Sequence, residues 1–193
     1  NYVQPPLPED TEEGILRGMY RVREGSGDGP RVQLLGSGAI LRESLAAAEL
    51  LEADFGVTAD VWSVTSFTEL RRDGLEVERW NRLHPTEEPR AAFVSEALGD
   101  TEGPVVAATD YMRAFADQIR QWVPRAYTAL GTDGFGRSDY RVALRRFFEV
   151  DRHHVAVAAL DALAREGTID PSVAQQAIER YELDADAAPP WTR

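Results

Sequence analysis

The sequence predicts an α/β fold: a three-layer α/β/α domain built on a small, mostly parallel, mixed sheet. Three observations carry that prediction. Short apolar runs of strand length recur along the chain, at 32–35, 61–65, 105–109 and 126–130. They are continuous rather than alternating, as buried strands are. Between the first two lie Leu41, Leu45, Ala48, Leu51 and Phe55 at helical spacing. Strand, helix and strand at that distance make a βαβ unit with parallel strands and a right-handed crossover.

The elements follow in order. Leu16, Gly18, Tyr20 and Val22 alternate with Arg17, Met19, Arg21 and Arg23, the period of a half-buried strand. Turn residues from Gly25 to Pro30 lead to the strand at Val32–Leu35, which Gly36-Ser37-Gly38 ends. The following helix stops at Gly56, and Val61–Thr65 forms the next strand. Ser66 and Glu69 match a capping box, in which each satisfies the other's free amide. The helix they open carries Leu70, Val77 and Trp80, is interrupted at Asp73-Gly74, and ends at His84-Pro85. After the strand 105–109, Asp110 caps a helix marked by Met112, Phe115, Ile119 and Trp122, which Pro124 ends. A fourth core strand, 126–130, runs into Gly131-Thr132-Asp133-Gly134-Phe135-Gly136. Helices are expected at 138–148, 152–166 and 171–181, the last opened by Asp170 with Pro171 at its first position.

The chain has 193 residues and a net charge of −12, and all 21 of its basic side chains are arginine. With no cysteine there is no disulfide framework, thiolate nucleophile or Cys-ligated metal. With no lysine there is no Schiff base and no P-loop lysine. The acidic balance argues against nucleic acid or an anionic membrane surface as partner. No stretch approaches the roughly 18 apolar residues of a membrane helix. The first eight residues lack a signal peptide's basic start and apolar centre, and hold Pro5, Pro6 and Pro8. They read as linker. The expected organisation is therefore an interdomain linker over 1–13, a domain over 14–183 and a frayed tail over 184–193, in a piece cut from a longer chain.

Candidate chemistry is sparse. Gly36-Ser37-Gly38 sits at a strand-to-helix turn, where helix amides can hold an anion. A dinucleotide fingerprint needs glycine where Leu41 stands, so a tight turn into a packed helix is the favoured reading. Gly27-Asp28-Gly29 begins like the thiamine-diphosphate motif, but the nearest downstream asparagine, Asn81, is too distant, leaving a glycine-rich turn. His84, His153 and His154 form no His-x₃-His pair, and no nucleophile elbow occurs. No catalytic, cofactor-binding or metal-binding residue is assigned. Two segments are denser than packing needs: Ser63–Gly74 and Leu130–Asp139, each beginning where a core strand ends. That edge carries the functional loops of α/β sheets. Ser66, Phe67, Asp133, Phe135, Arg137 and Ser138 are therefore candidates for contact with a neighbouring domain or subunit, with helix caps and turns as the competing reading.

Val32–Ala39, Ser63–Gly74, Glu78–Pro85, Ala108–Met112 and Leu130–Asp139 together resemble the C-terminal domain of the homodimeric bacterial pyruvate dehydrogenases, of the transketolase type. The resemblance runs in order from about Tyr2 to about Asp186. Transketolases share a looser pattern, here Asp133, Phe135, Gly136 and Ser138. The resemblance implies a cytoplasmic, homodimeric parent that holds thiamine diphosphate and Mg²⁺ in its upstream domains. It implies decarboxylation of pyruvate and acetylation of the lipoyl group of a dihydrolipoyl acetyltransferase partner. No position here matches the family's cofactor motif, so this domain is expected to be non-catalytic scaffolding. The rival readings are an interaction module that docks the acetyltransferase or a regulator, with Trp80, Trp122 or Trp191 in an apolar patch, and the C-terminal domain of a transketolase or another 2-oxo-acid dehydrogenase.

Overall fold

The computed structural model describes residues 6–193. Its sheet has five strands in the order β1-β3-β2-β4-β5. These are β1 (Met19–Arg23), β2 (Arg31–Ser37), β3 (Thr58–Val64), β4 (Val105–Ala108) and β5 (Tyr127–Leu130). β2, β3, β4 and β5 pair in parallel, and β1 joins β3 antiparallel at the edge, with Met19 opposite Val64. The mixed, mostly parallel sheet is the expected one.

Side chains alternate across two buried faces. Val32, Leu34, Ala59, Val61, Val106 and Ala108 point to one core, covered by α2 (Leu41–Phe55), α7 (Arg152–Arg165) and α8 (Pro171–Arg180). Leu35, Trp62, Val64, Val105, Ala107 and Tyr127 point to the other. That face is covered by α3 (Phe67–Leu83), α4 (Phe93–Gly99) and α5 (Arg113–Asp117). Burial on both faces explains why the strands read as continuous apolar runs. A polar network interrupts the second face: Gln33 Nε2 donates to Asp60 Oδ2 at 2.8 Å, and Gln33 Oε1 accepts from Trp62 Nε1 at 2.8 Å. Arg31 Nη1 and the Gly25 amide both donate to Asp60 Oδ1, so these buried groups satisfy one another.

Several elements differ from expectation. Leu16 and Arg17 belong to α1 (Glu12–Arg17), and Gly18 ends that helix at φ +108°. The strand starts at Met19, which is fully buried, while Leu16 is exposed. Ser66 Oγ accepts from the Glu69 amide at 3.1 Å as expected, but Glu69 does not reach back. The Ser66 amide donates to Gly18 O, and Glu69 pairs with Arg72 instead. α3 runs through Asp73-Gly74 without interruption, because Gly74 is the notch that receives the Trp122 indole. The long helix expected over 112–122 is two pieces, α5 and a 3-10 turn at Arg120–Trp122. α5 has no side-chain cap, so Asp110 does not play that part. α4 carries no periodic signal long enough to predict it. α7 and α8 lie where expected, with Asp151 and Asp170 as caps, whereas α6 (Arg141–Phe147) starts three residues later than expected, with Tyr140 and not Ser138 at its N-cap. Asn1–Pro5 of the expected linker lie outside the described residues. Residues 184–193 include a 3-10 turn at Pro190–Thr192, and Arg193 Nη2 pairs with Glu149 Oε1 at 3.0 Å.

Candidate functional site

The parallel strands deliver their loops to one edge of the sheet, but they do not bring the two dense segments together. β2 and β4 stand between β3 and β5, so Ser66 and Phe67 lie roughly 14 Å across the sheet from Leu130 at about 4.8 Å per strand. Ser66 is the cap of α3, and Phe67 is buried in the core with Met19, Trp62 and Leu70. Phe67 has no ring surface to offer a partner.

The segment after β5 instead docks on the loop after β4. Thr132 N donates to Tyr111 O at 2.9 Å, and Thr132 Oγ1 donates to Asp110 O at 3.0 Å. Asp133 Oδ1 accepts from the Arg113 amide at 3.0 Å, while its Oδ2 lies 3.4 Å from Arg113 Nε. Asp133 thereby satisfies the open first turn of α5 from a distant loop. The approach is close: a Cβ on Gly131 would sit 2.5 Å from the Arg113 nitrogen. Gly134, at φ +105°, meets the backbone of Trp191, so the C-terminal turn braces the same loop.

Beyond this braced base the chain projects apolar surface. Phe135 is 89% exposed, and Tyr140 and Val142 are each 70% exposed. In the chain after β4, Tyr111 and Phe115 are exposed as well and form an edge-to-face pair, centroids 4.7 Å apart. Ser138 is also on the surface, and the Arg137 guanidinium lies 4.2 Å from the Phe147 ring centroid. Asp133, Phe135, Arg137 and Ser138 therefore share one loop, from which Ser66 and Phe67 are excluded. The tryptophans of the rival reading offer less. Trp80 is stacked on His84 and covered by Arg90, Trp122 donates to Glu78 while filling the Gly74 notch, and Trp191 is half-exposed.

Behind the loop lies a cleft of about 360 Å³, between Ala39-Ile40, Asp110, Gly134, Gly136 and α6. Arg137, Arg141 and Arg145 line it. Arg145 Nη1 donates to the buried Glu43 Oε1 at 2.7 Å, and Arg152 donates to Glu43 Oε2 through Nε at 3.0 Å and its amide at 3.1 Å. Burial alone raises the Glu43 pKa, but the hydrogen bonds and charge of Arg152, with the charge of Arg145, outweigh it and hold the carboxyl below its usual range. Asp151 behaves alike: burial opposes ionisation, and hydrogen bonds and charge from His154, with the charge of His153, more than offset it. The residues of α2 and α6 that meet here have no local sequence signal. Only the fold gathers them.

The turn whose sequence begins like a thiamine-diphosphate motif serves packing in the structure. Gly27-Asp28-Gly29 is packed closely on its neighbours: a Cβ on Gly29 would run into the Gly56 carbonyl oxygen, and one on Gly27 would sit 2.5 Å from the side-chain Oγ1 of Thr58. Its glycines serve that close approach. Among the described residues no three His, Asp or Glu side chains gather as a metal site.

A mostly parallel five-stranded sheet with an antiparallel edge strand, covered by helices on both faces and carrying a Gly-Phe-Gly loop after its last strand, defines a mixed three-layer α/β domain. The chain belongs to the transketolase-like TK C-terminal domain family, whose pattern matches residues 18–151. Its relatives are more particular than its fold. Over 98% of its length it is 59% identical to the pyruvate dehydrogenase E1 component of Pseudomonas aeruginosa, 53% to that of Escherichia coli and 48% to that of Mycobacterium tuberculosis. It spans about a fifth of the length of those relatives: 22%, 21% and 20% respectively. In structure it is similar to transketolase from Campylobacter jejuni, with a TM-score of 0.51 and 19% identity over 82% of this chain and 20% of that one. A transketolase from Pichia stipitis gives 0.52 and 17% over 80% of this chain and 19% of that one. Those two likenesses concern the fold. No described helix is long and apolar enough to cross a membrane.

Proposed function

We propose that this chain is the C-terminal scaffold of a pyruvate dehydrogenase E1 component, and that its exposed Phe135 loop contacts other domains or the second subunit of a homodimer. The observation that carries the reading is identity of 59% across 98% of the chain to such a component. The arrangement of the loop supports it. A 3-10 turn, an Arg–Asp pair and the close-packed glycines at 131 and 134 would be an elaborate base for a phenylalanine left in water, whereas buried aromatic anchors at an interface account for it.

In this reading thiamine diphosphate and Mg²⁺ are held by the upstream domains, which supply the chemistry of pyruvate decarboxylation and of acetyl transfer to the lipoyl group of the dihydrolipoyl acetyltransferase. The residues described here hold neither group. Their part is to fix the geometry of the surface that the upstream domains rest on. The protein works in the cytoplasm, with neither nucleic acid nor membrane as partner, in keeping with its charge of −12.

Calorimetric titration of thiamine diphosphate with Mg²⁺ tests the division of labour. The 193-residue chain gives no saturable binding and no carbon dioxide from pyruvate, whereas the full-length protein gives both. Tight, stoichiometric binding to the chain alone would overturn the reading.

A further inference from the structure

The cleft behind the Phe135 loop lies at the topological switch of the sheet. From β2 the chain crosses through α2 to β3 on one side, and β4 lies on the other side of β2. At such a point the loops that leave the strand ends diverge, and the crevice between them is where α/β sheets bind ligands. Here the two loops meet at Gly38, φ +57°, whose Cβ position lies 3.2 Å from Asp110 Oδ1, and the cleft opens beside that contact.

The chemistry of the cleft is unlike that of the rest of the molecule. Arg137, Arg141 and Arg145 line it in a chain of net charge −12. Arg141 and Arg145 are one turn apart on α6, which places them on the same side of the helix. Among the described residues Asp110 is the one carboxylate in the lining, and Glu43 stands behind it, joined to Arg145. Ile40, Leu144, Phe148 and Val150 supply an apolar wall. Ala39 and Ile40, in the 3-10 turn Gly38–Ile40 that leads into the fifteen-residue α2, bring the chain just before that helix to the cleft. The volume of about 360 Å³ is at the small end of the range for ligand sites.

From this geometry we propose that the cleft binds a small organic phosphate, its dianion held by Arg137 and Arg141 and its compact apolar body resting on Ile40, Leu144 and Phe148. Several guanidinium forks suit a phosphate, which presents three oxygens and two charges, better than a single carboxylate. The ligand is an effector rather than a substrate: the lining holds no acid–base pair, and the Thr132 hydroxyl is engaged with Asp110 O. It touches Gly134 and Gly136 on either side of Phe135, so its presence stiffens the loop that carries the exposed ring. The binding claim stands whether or not that loop contacts another subunit.

Phenyl phosphate is the probe, titrated calorimetrically into the 193-residue chain, with inorganic phosphate, benzoate and phenol as separate arms. Phenyl phosphate binds saturably at one site per chain, inorganic phosphate and benzoate bind more weakly, and phenol does not bind. Arg137→Gln and Arg141→Gln each weaken phenyl phosphate roughly tenfold, as loss of a charge-assisted hydrogen bond does. Arg71→Gln, in the separate groove beside Trp122, leaves binding unchanged. Arg137 and Arg141 are exposed, so these variants keep the urea midpoint of the parent chain. Absence of saturable binding overturns the proposal, as does affinity that survives both substitutions together. Benzoate binding as tightly as phenyl phosphate overturns the choice of phosphate.

Discussion

Glu43 and Asp151 set the acid limit of this domain. Each is a buried carboxylate whose burial is outweighed by cationic partners, and each titrates below the usual carboxylate range. A depressed folded-state value means that the stabilisation is complete above the ordinary value near about 4 and is lost as pH falls through the folded one. Urea midpoints measured from neutral pH downward therefore drop steeply below about pH 4. The double variant Glu43→Gln/Asp151→Asn has a flatter acid limb, and superimposable limbs would dismiss the assignment. At neutral pH, Glu43→Gln costs about 3 kcal/mol, because it leaves Arg145 and Arg152 without their shared carboxylate. Urea unfolding at neutral pH checks that value. At this same scale the sequence is a partial guide to the candidate site. The glycines, Asp133 and Phe135 mark their own loop, whereas nothing local in Glu43, Arg141 or Arg145 ties them to it. Charged residues on a helix look alike until the fold shows which of them faces a cleft.

The elements are legible wherever one force decides them. β2 to β5 are short apolar runs because both faces of the sheet are covered, and α2 ends at Gly56 because that residue is left-handed, at φ +63°. Expectation and structure part where tertiary contacts override local preference. Gly74 reads as a break, yet the helix continues because Trp122 needs the space: a Cβ there would lie 2.4 Å from the indole. Gly74→Ala improves helix propensity by roughly 1 kcal/mol and still destabilises the chain by about 2 kcal/mol or more, from overpacking. Thermal unfolding decides it, and a raised melting temperature would remove the case for a notch. The same tryptophan explains why the helix expected over 112–122 breaks, since the 3-10 turn carries Trp122 across to α3 and its Nε1 to Glu78 at 3.0 Å. α4 has no local signature because its support is distant: Ala92 gives no side-chain cap, and the Phe93 amide donates to Asp73 Oδ2 on α3 at 2.6 Å. At β1 the alternation of Leu16 to Val22 reads as one strand, but Gly18 ends a helix, so the strand begins only at Met19, which is buried where the pattern expects an outward residue, while Tyr20, Arg21 and Val22 keep the expected alternation.

At the scale of the whole molecule, a sheet buried on both faces and an exposed loop edge suit the scaffold role proposed above. The missing lysines and cysteines exclude many reactions, and among the described residues no three His, Asp or Glu side chains gather as a metal site. What the fold does build is a rigid base beneath Phe135, from the loop after β4, the loop after β5 and the C-terminal turn. Sedimentation velocity on the full-length protein carrying Phe135→Ala tests that role. The ring is 89% exposed in this domain, so the substitution leaves the stability of the 193-residue chain within about 0.5 kcal/mol of the parent. On the proposed reading, the same substitution in the full-length protein shifts a homodimer toward monomer or loosens thiamine diphosphate, with the association constant falling roughly tenfold or more, the loss expected of an interface anchor. Sedimentation, cofactor retention and activity all equal to those of the unsubstituted protein would contradict it.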